Sequence, residues 1–140
     1  MGVVIRQVDG AAQEFTLSRL QKETFPADGK APCTEGYWWL ALDGNTPIGF
    51  ACMTSVSTWA DTGYISRVGV MPSHRGQGIQ RRLMRACEKK AKVIGWRRII
   101  STTLNNPPSA NNFIACGYRT YEPQSRWGWT DTIYWLKDLS

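Results

Sequence analysis

Arg75, Gly76 and Gly78 lie in the segment VGVMPSHRGQGIQRRL (residues 68–83), where an apolar run ends and a helical pattern begins. The first turn of a helix carries backbone N–H groups without partners, and the helix dipole makes that end attractive to anions. Glycines let an anion approach the backbone because they have no Cβ, and an arginine adds charge and paired N–H donors. The stretch therefore predicts a cradle for a pyrophosphate. Glycine spacing alone favours the alternative, a turn that binds nothing.

Two familiar nucleotide-binding motifs do not fit this turn. In a Walker loop, Lys and then Ser or Thr follow the second glycine, whereas Ile79 and Gln80 stand here. A dinucleotide-binding fingerprint requires a third glycine, and Arg81 occupies its place. The HRD and DFG sequences of protein kinases are also absent. The role of the turn therefore has to be inferred from the elements that surround it.

The elements around the turn alternate between strand and helix patterns. Alternating or β-branched apolar residues predict strands at residues 3–8, 37–42, 48–56, 62–70, 97–104, 118–123 and 132–139. A helix is predicted over residues 11–25, and a shorter one begins at Ser109 as N-cap and ends before Gly117. Gly69 interrupts the strand at 62–70, which indicates either a bulge or a close approach of another segment.

The helix that follows the turn has one apolar stripe. The stripe repeats every three or four residues and consists of Ile79, Leu83, Cys87, Ala91 and Ile94. Gly95 suits the left-handed residue that ends a helix. The order of all these elements predicts an α/β or α+β layer fold, with helices packed on a mixed sheet.

Length and composition indicate one domain. A chain of 140 residues has the size of a single domain, and no repeat or linker divides it, so residues 1–140 are predicted to form one. No apolar stretch is long enough to span a membrane, and the first ten residues lack the layout of a signal peptide. The expectation is a protein without membrane association.

Basic residues are concentrated in one part of the chain. The formal net charge is +6, and nine of the seventeen Lys and Arg residues lie between Arg75 and Arg98, with Glu88 as the one acid among them. Such a run is usually a solvated helix face. It also fits a surface for phosphate, either on a small cofactor or on nucleic acid.

Cysteine and histidine usage argues against a metal site. Cys33, Cys52, Cys87 and Cys116 are far apart and form no CxxC pair, and His74 is the single histidine. Four reduced, buried thiols in a cytoplasmic protein are the simplest interpretation, and no metal is predicted.

The segment VGVMPSHRGQGIQRRLM resembles the acyl-CoA-binding motif of the GNAT superfamily of N-acyltransferases. In that motif an apolar strand ends in Val-x-Pro, and Arg or Gln-x-x-Gly-x-Gly or Ala then leads into a helix. Val70, Pro72, Arg75 and Gly78 match the pattern, while Gln80 departs from it at the last small position.

A second part of the chain extends the resemblance. The family commonly carries an Asn, a small residue three positions later, an aromatic hydroxyl and then Gly-Phe. Asn106, Ser109 and the pair at 117–118 (Gly-Tyr) keep this spacing, but Phe113 stands where the family usually has tyrosine. The tyrosine that reprotonates the leaving thiolate in the family is therefore missing.

The resemblance implies a fold, a cofactor and a reaction. The implied fold is a mixed, mostly antiparallel sheet of about six to seven strands, with helices on both faces and a bulged strand beside the cofactor. The implied reaction is direct transfer from acetyl-CoA, in which an amine attacks the thioester in a ternary complex. The implied cofactor-binding residues are Val68, Gly69, Val70, Arg75, Gly76, Gln77, Gly78, Ile79, Gln80, Asn106 and Ser109.

Three residues are candidates for catalysis: Val68, Glu35 and Tyr64. A backbone N–H near Val68 would face the thioester oxygen. A protonated amine has to lose a proton before it attacks, and the family often uses a carboxylate on the cofactor strand. This strand offers Tyr64, Ser66 and Arg67 but no acid. Glu35, just before the second strand, is a candidate base, although a plain surface acid is the simpler interpretation.

The acceptor and the partners are left open by the sequence. A small-molecule or peptide amine is expected, and a CoA-binding protein without catalysis is the alternative that Phe113 allows. A basic nucleic-acid-binding domain is disfavoured, because no nucleic-acid module is recognisable. The segment RWGWT (126–130) brings Trp127 and Trp129 into one loop, which fits a wall of the acceptor pocket or a contact in a homodimer.

Overall fold

The computed structural model describes residues 2–139, in which seven strands and three helices form one sheet with helical cover. The strands are β1 (Val3–Val8), β2 (Tyr37–Asp43), β3 (Thr46–Ser55), β4 (Thr62–Val70), β5 (Arg98–Thr103), β6 (Arg119–Thr120) and β7 (Ile133–Asp138). The helices are α1 (Glu14–Thr24), α2 (Ile79–Ile94) and α3 (Pro107–Ala115).

The sheet has the order β1-β2-β3-β4-β5-β7-β6. All neighbouring strands are antiparallel except β4 and β5, which are parallel. Parallel neighbours require a long crossover, and α2 supplies it. The predicted mixed, mostly antiparallel sheet is confirmed.

Helices cover both faces of the sheet, because successive residues of a strand point to opposite sides. Trp39 of β2 packs in the core under α2 and α3, together with Leu83 and Phe113. Its neighbour Trp38 packs on the other side with Leu17 of α1. The face that carries α2 and α3 holds the larger core.

Helix α2 has the predicted ends and a partly different buried face. Gly78 is its N-cap with a φ of 77°, and Gly95 its C-cap with a φ of 97°. The buried face includes Met84 and Glu88 in addition to the predicted stripe, whereas Ile94 in the last turn is exposed. The prediction for Ile94 was wrong because α2 has passed the edge of the core at that point.

Several strand boundaries shift by one or two residues from the sequence prediction, and three differences are larger. Helix α1 begins at Glu14 rather than at residue 11, because the Asp9 carboxylate accepts the N–H groups of Ala11 and Ala12 and holds a turn there. Strand β6 is only two residues long. Helix α3 is capped by Asn106, whose side chain accepts the N–H of Ser109 at 3.2 Å, so the predicted cap at Ser109 was wrong.

Residues 2–139 contain neither a helix that could span a membrane nor a cluster of metal-ligating side chains. No helix in this part of the chain combines the length and the apolar character needed to cross a bilayer. No three side chains of His, Cys, Asp or Glu in the same range are grouped as ligands of a metal ion would be.

Candidate functional site

Strands β4 and β5 separate part-way along their length. They pair over Thr62–Ile65 and Arg98–Ser101, and the Ser101 hydroxyl donates to the carbonyl of Ile65 at 2.7 Å at the end of this paired region. Beyond Ile65, no strand of residues 2–139 pairs with β4 on the β5 side. Backbone groups along this edge of β4 are therefore available to a ligand.

Strand β4 is bulged, but not at the glycine that suggested it. The register pairs Cys52 with Arg67 and Met53 with Ile65, which leaves Ser66 as the extra residue. Gly69 pairs regularly with Phe50. A Cβ on Gly69 would lie 2.8 Å from the Phe50 ring, so the close approach is the correct alternative for this glycine.

A first cavity, here called the turn cavity, lies where β4 ends and α2 begins. It has a volume of about 490 Å³, and its lining includes Val68, Gly69, Val70, Arg75, Gly76, Gly78, Ile79, Gln80, Arg81, Asn106 and Ser109. Gly76 and Gly78 have φ values of 78° and 77°, and no neighbouring atom lies within 4 Å of where a Cβ would stand. The backbone of this turn is thus open to a ligand.

The backbone of this turn offers N–H donors to an anion. The first helical bond of α2 runs from the N–H of Arg82 to the carbonyl of Gly78. The N–H groups of Ile79, Gln80 and Arg81 precede it and have no helical acceptor. Together with the helix dipole they make this end of α2 suitable for phosphate.

Side chains add positive charge to the turn cavity. Arg75 and Arg81 line it, and no Asp or Glu is among the described residues of the lining. The Nε of Arg75 donates to the Val70 carbonyl at 3.0 Å, and that of Arg81 to Asn112 Oδ1 at 2.8 Å. Arg82 points elsewhere, because its Nη2 donates to the Val3 carbonyl on β1 at 2.7 Å.

Helix α3 forms the opposite wall of the turn cavity. Gln80 at the start of α2 donates from Nε2 to the Ser109 hydroxyl at 3.0 Å. This bond ties the N-terminal turns of α2 and α3 together. Gln80, the departure from the small residue of the motif, therefore directs its amide towards α3 rather than leaving it loose over the turn.

A second cavity, here called the splay cavity, lies between the separated parts of β4 and β5. It has a volume of about 430 Å³ and is lined by Phe25, Asp28, Ile65, Ser66, Arg67, Val68, Ser101, Thr102, Thr103, Leu104, Asn105, Asn106, Ser109 and Phe113. Four of these residues also line the turn cavity: Phe25, Val68, Asn106 and Ser109. The two cavities therefore adjoin each other along β4.

The splay cavity has one acidic and one basic side chain in its lining, Asp28 and Arg67. Phe113 lies at its inner end, buried to 1% exposure, stacked on Trp135 and edge-on to Tyr118. Tyr118 donates its hydroxyl to Glu88 and lines neither cavity. Burial, reinforced by Glu88, raises the pKa of Tyr118 far above its ordinary value of 10.0, so this phenol is a poor proton donor to a thiolate.

A sequence profile of the acetyltransferase (GNAT) family matches residues 7–118 of the 140. The chain belongs to this family. No curated protein sequence matches it.

Solved structures of GNAT acetyltransferases share the fold. An IAA acetyltransferase from Bacillus cereus ATCC 14579 has a TM-score of 0.80 at 20% identity, over 99% of this chain and 100% of that one. An acetyltransferase from Bacillus subtilis, solved with CoA, has a TM-score of 0.79 at 18% identity, over 99% and 100%. The protein yncA from Salmonella typhimurium, solved with its cofactor acetyl-CoA, has a TM-score of 0.77 at 17% identity, over 100% and 95%.

The residues predicted to bind the GNAT cofactor come together in the structure. All of them except Gln77 line the turn cavity. Gln77 is exposed in the middle of the glycine turn and lies outside the lining. Their role in binding stays a prediction, now with a common cavity to support it.

The predicted catalytic residues are not brought together. Val68 lies where the two cavities meet. Glu35 is exposed and lines neither cavity, while its carbonyl accepts from Trp38 Nε1 at 2.7 Å. Tyr64 also lies outside both, with its hydroxyl 3.4 Å from Thr102 Oγ1. Neither Glu35 nor Tyr64 lines the turn cavity or the splay cavity.

Asp28 and Arg67 line the splay cavity and are absent from the residues predicted from the sequence. Arg67 was noted only as a residue that is not an acid. Asp28 lies in the loop between α1 and β2, where nothing in the local pattern distinguishes it from Glu35. The position of Arg67 one residue before Val68 on the cofactor strand was the one available signal.

The tryptophan loop does not reach either cavity. Trp127 and Trp129 are exposed by 52% and 77%, and neither lines the turn cavity or the splay cavity. The Trp127 ring packs on Tyr134 of β7 with centroids 4.6 Å apart. Both interpretations of the loop, a wall of the acceptor pocket and a contact in a homodimer, stay predictions.

Proposed function

We propose that this protein is an acetyl-CoA-dependent N-acetyltransferase, with the cofactor in the turn cavity and the amine acceptor in the splay cavity. The observation that carries the proposal is that the two cavities adjoin along β4. The turn cavity has backbone N–H donors and arginines, and the splay cavity has one carboxylate and one guanidinium. The coenzyme-bound structures of GNAT relatives support the choice of cofactor.

Each part of the turn cavity suits one part of the cofactor. The N–H groups of the turn from Gly76 to Gln80 would hold the pyrophosphate, with Arg75 and Arg81 adding charge. The free edge of β4 at Val68 and Val70 would pair with the amide-containing arm. Asn106 and Ser109 on the opposite wall would border that arm. Bound acetyl-CoA would supply an activated acetyl group.

The transfer requires no covalent enzyme intermediate. The nitrogen of a neutral amine forms the new bond to the acetyl carbon, and the carbon–sulfur bond breaks with its electron pair going to sulfur. The amine loses one proton and the thiolate gains one, so the products are an amide and the free thiol. A backbone N–H near Val68 would stabilise the negative charge that develops on oxygen.

Asp28 is the acid best placed to accept the amine proton, directly or through water. It lines the splay cavity, whereas Glu35 does not. A general base must lie within reach of the proton that it removes. On the leaving side Phe113 has no hydroxyl, and we infer that the thiolate takes its proton from water.

The protein environment is proposed on narrower grounds. The four cysteines are free and buried, which supports a reducing, cytoplasmic location. The acceptor is a small-molecule or peptide amine, as for GNAT proteins generally. One domain over residues 1–140 is sufficient to form both cavities.

Calorimetric titration with CoA tests the cofactor site. Arg75→Ala and Arg81→Ala should each raise the dissociation constant about five- to tenfold, since each removes a charged donor at the phosphate end. Arg82→Ala and Lys92→Ala are matched controls and should change it less than twofold. Arg82 points to β1, and Lys92 lies roughly 20 Å along the helix from Gly78, beyond a Debye length of about 8 Å.

The same titration distinguishes the alternatives. Equal losses for Lys92 and Arg75 would contradict the site and favour an extended polyanion surface. The protein would instead be a CoA-binding protein without catalysis if it binds CoA tightly but releases no thiol from acetyl-CoA with any amine or peptide acceptor tested.

A further inference from the structure

Arg67 places a positive charge inside the cavity that the acceptor would enter. It lies on β4 beside Val68, is half-buried, and lines the splay cavity. A half-buried guanidinium has lost part of its hydration, and a ligand anion can replace that loss with charge-assisted hydrogen bonds.

We propose that the acceptor is a small amine that also carries a carboxylate, and that Arg67 binds this carboxylate. The proposal rests on the acetyl transfer proposed above and names the substrate class of that same site. Four observations support it: the unpaired charge of Arg67, the way the side chain is held, the separate acid in the same cavity, and the size of that cavity.

The charge of Arg67 has no counterion within the described chain. No carboxylate of residues 2–139 lies within 4.0 Å of its guanidinium, although ion pairs form elsewhere in the same residues. Its one hydrogen bond there goes from Nη1 to Gln21 Oε1 at 3.0 Å. A guanidinium has five N–H donors, so most of them are left for a ligand.

Arg67 is held in position by neighbours that carry no charge. Gln21 is 1% exposed, and its Oε1 also accepts the N–H of Ala31 at 2.8 Å, which fixes the orientation of the amide. The guanidinium lies 5.5 Å from the centre of the Phe25 ring. Gln21 is thus a positioning residue, because it orients the cation without neutralising it.

The second charge of the cavity fits the other end of such a substrate. Asp28 lines the same cavity but does not pair with Arg67. An ammonium group near Asp28 and a carboxylate on Arg67 would satisfy both charges at once. An amine without a carboxylate would leave Arg67 unpaired.

The size of the cavity favours a small molecule. A volume of about 430 Å³ lies in the range of small-ligand pockets, roughly 300–1,000 Å³. The inner end is closed by Phe113, which is fully buried. The shape and the charges therefore favour amino acids and similarly small molecules that carry both an amine and a carboxylate.

The test compares matched acceptors with matched variants. A panel of amino acids is assayed beside the corresponding amino acid amides, with acetyl-CoA saturating and thiol release as the readout. The proteins are wild type, Arg67→Gln, Arg67→Lys and the control Arg6→Gln, which alters an exposed arginine of β1. For each acceptor, the rate of a variant is divided by the rate of wild type. This ratio removes the effect of the different amine pKa values of acids and amides.

Arg67→Gln should lower kcat/KM for the acids about tenfold to a hundredfold, chiefly through KM, and change it less than twofold for the amides. For the acids, kcat/KM of Arg67→Lys should lie between the values of wild type and Arg67→Gln, because lysine keeps the charge but not the planar fork of donors. Arg6→Gln should match wild type. CoA affinity and thermal unfolding, measured on every variant, show that the fold and the cofactor site are intact.

Three results would overturn the inference. One is an equal loss for acids and amides in Arg67→Gln. Another is a wild-type protein that prefers the amides, and the third is a protein that binds CoA yet acetylates no acid of the panel. Failure of the wild-type protein to bind CoA would be recognised separately, since it removes the proposed function itself.

Discussion

Asp28 differs from Glu35 by its position rather than by its chemistry. Both are exposed acids of the same loop between α1 and β2, but only Asp28 borders the splay cavity. The Asp28 N–H donates to the carbonyl of Phe25 at 3.1 Å, and Ala31 is bonded to Gln21 on both sides of its peptide unit. These bonds tie the loop to α1, and Phe25 at the start of the loop lies against the Arg67 guanidinium of β4, in a position that leaves Asp28 at the cavity.

Asp28→Asn should lower kcat about a hundredfold, the lower end of the contribution of a positioned general base, and leave CoA affinity unchanged. The loss should shrink as the pH rises, because more of the acceptor amine is then already neutral. Steady-state rates from pH 6 to pH 10 measure both effects. Glu35→Gln is the matched control and should retain the wild-type rate; a comparable loss there would restore Glu35 as the candidate base.

The contrast between these acids shows what the sequence can predict at the scale of residues. The glycine turn and its arginine were predicted because their signal is local: a strand end and a helix start lie within sixteen consecutive residues. Asp28 reaches the site only through contacts of its loop with α1 and β4. Such contacts join distant parts of the chain and leave no periodic trace.

At the scale of elements, helix α2 also combines features that the local sequence predicts with features that depend on distant residues. Its two glycine caps follow from the sequence, since each is a left-handed position with a local cause. The burial of Glu88 does not, because its partners lie far away in the chain. Tyr118 donates to Glu88 Oε2 at 3.1 Å and Lys137 Nζ donates to Oε1 at 2.8 Å. These bonds join α2 to β7 and to the turn after α3.

Lys137→Met should destabilise the protein by about 2–3 kcal/mol, because it leaves a buried carboxylate without its counterion. Urea unfolding at pH 7.5 measures the free energy of unfolding of each variant. Lys89→Met, at an exposed position of α2, should change it by at most about 0.5 kcal/mol. Adding Glu88→Gln to Lys137→Met should recover part of the loss; no recovery would mean that the lysine acts through its packing rather than its charge.

At the scale of the whole molecule, the sheet order determines where a site can form. Local patterns predicted the strands and the helices, and helices on both faces of the sheet were implied by the family resemblance. The sequence did not predict that β7 inserts between β5 and β6, a pairing that depends on how distant strands meet. Strands β4 and β5 pair only over Thr62–Ile65 and Arg98–Ser101, and α3 borders the gap beyond this region. The turn cavity and the splay cavity both lie along the part of β4 that this separation leaves unpaired.

The buried titratable groups of the whole molecule predict weaker folding at alkaline pH. Burial raises the pKa of Cys52 from 9.0 to about 11, and it raises that of Cys87 well above 9.0. Burial also raises the pKa of Tyr121 to about 12, with Tyr134 and Tyr64 adding to it. Each raised pKa means that the folded protein holds a proton that the unfolded chain releases. The resulting stability is complete below pH 9 and is lost as the pH rises towards the folded values.

Above pH 9 each fully buried thiol should cost about 1.4 kcal/mol of stability per pH unit. Cys52 and Cys87 together should therefore lower the free energy of unfolding by about 3 kcal/mol between pH 7.5 and pH 10. Urea unfolding in the presence of a reductant measures this decline. The double variant Cys52→Ala, Cys87→Ala should be less stable at pH 7.5, since it leaves cavities, but its stability should fall less over the same range. A decline as steep as in wild type would show that groups other than these two thiols release the protons.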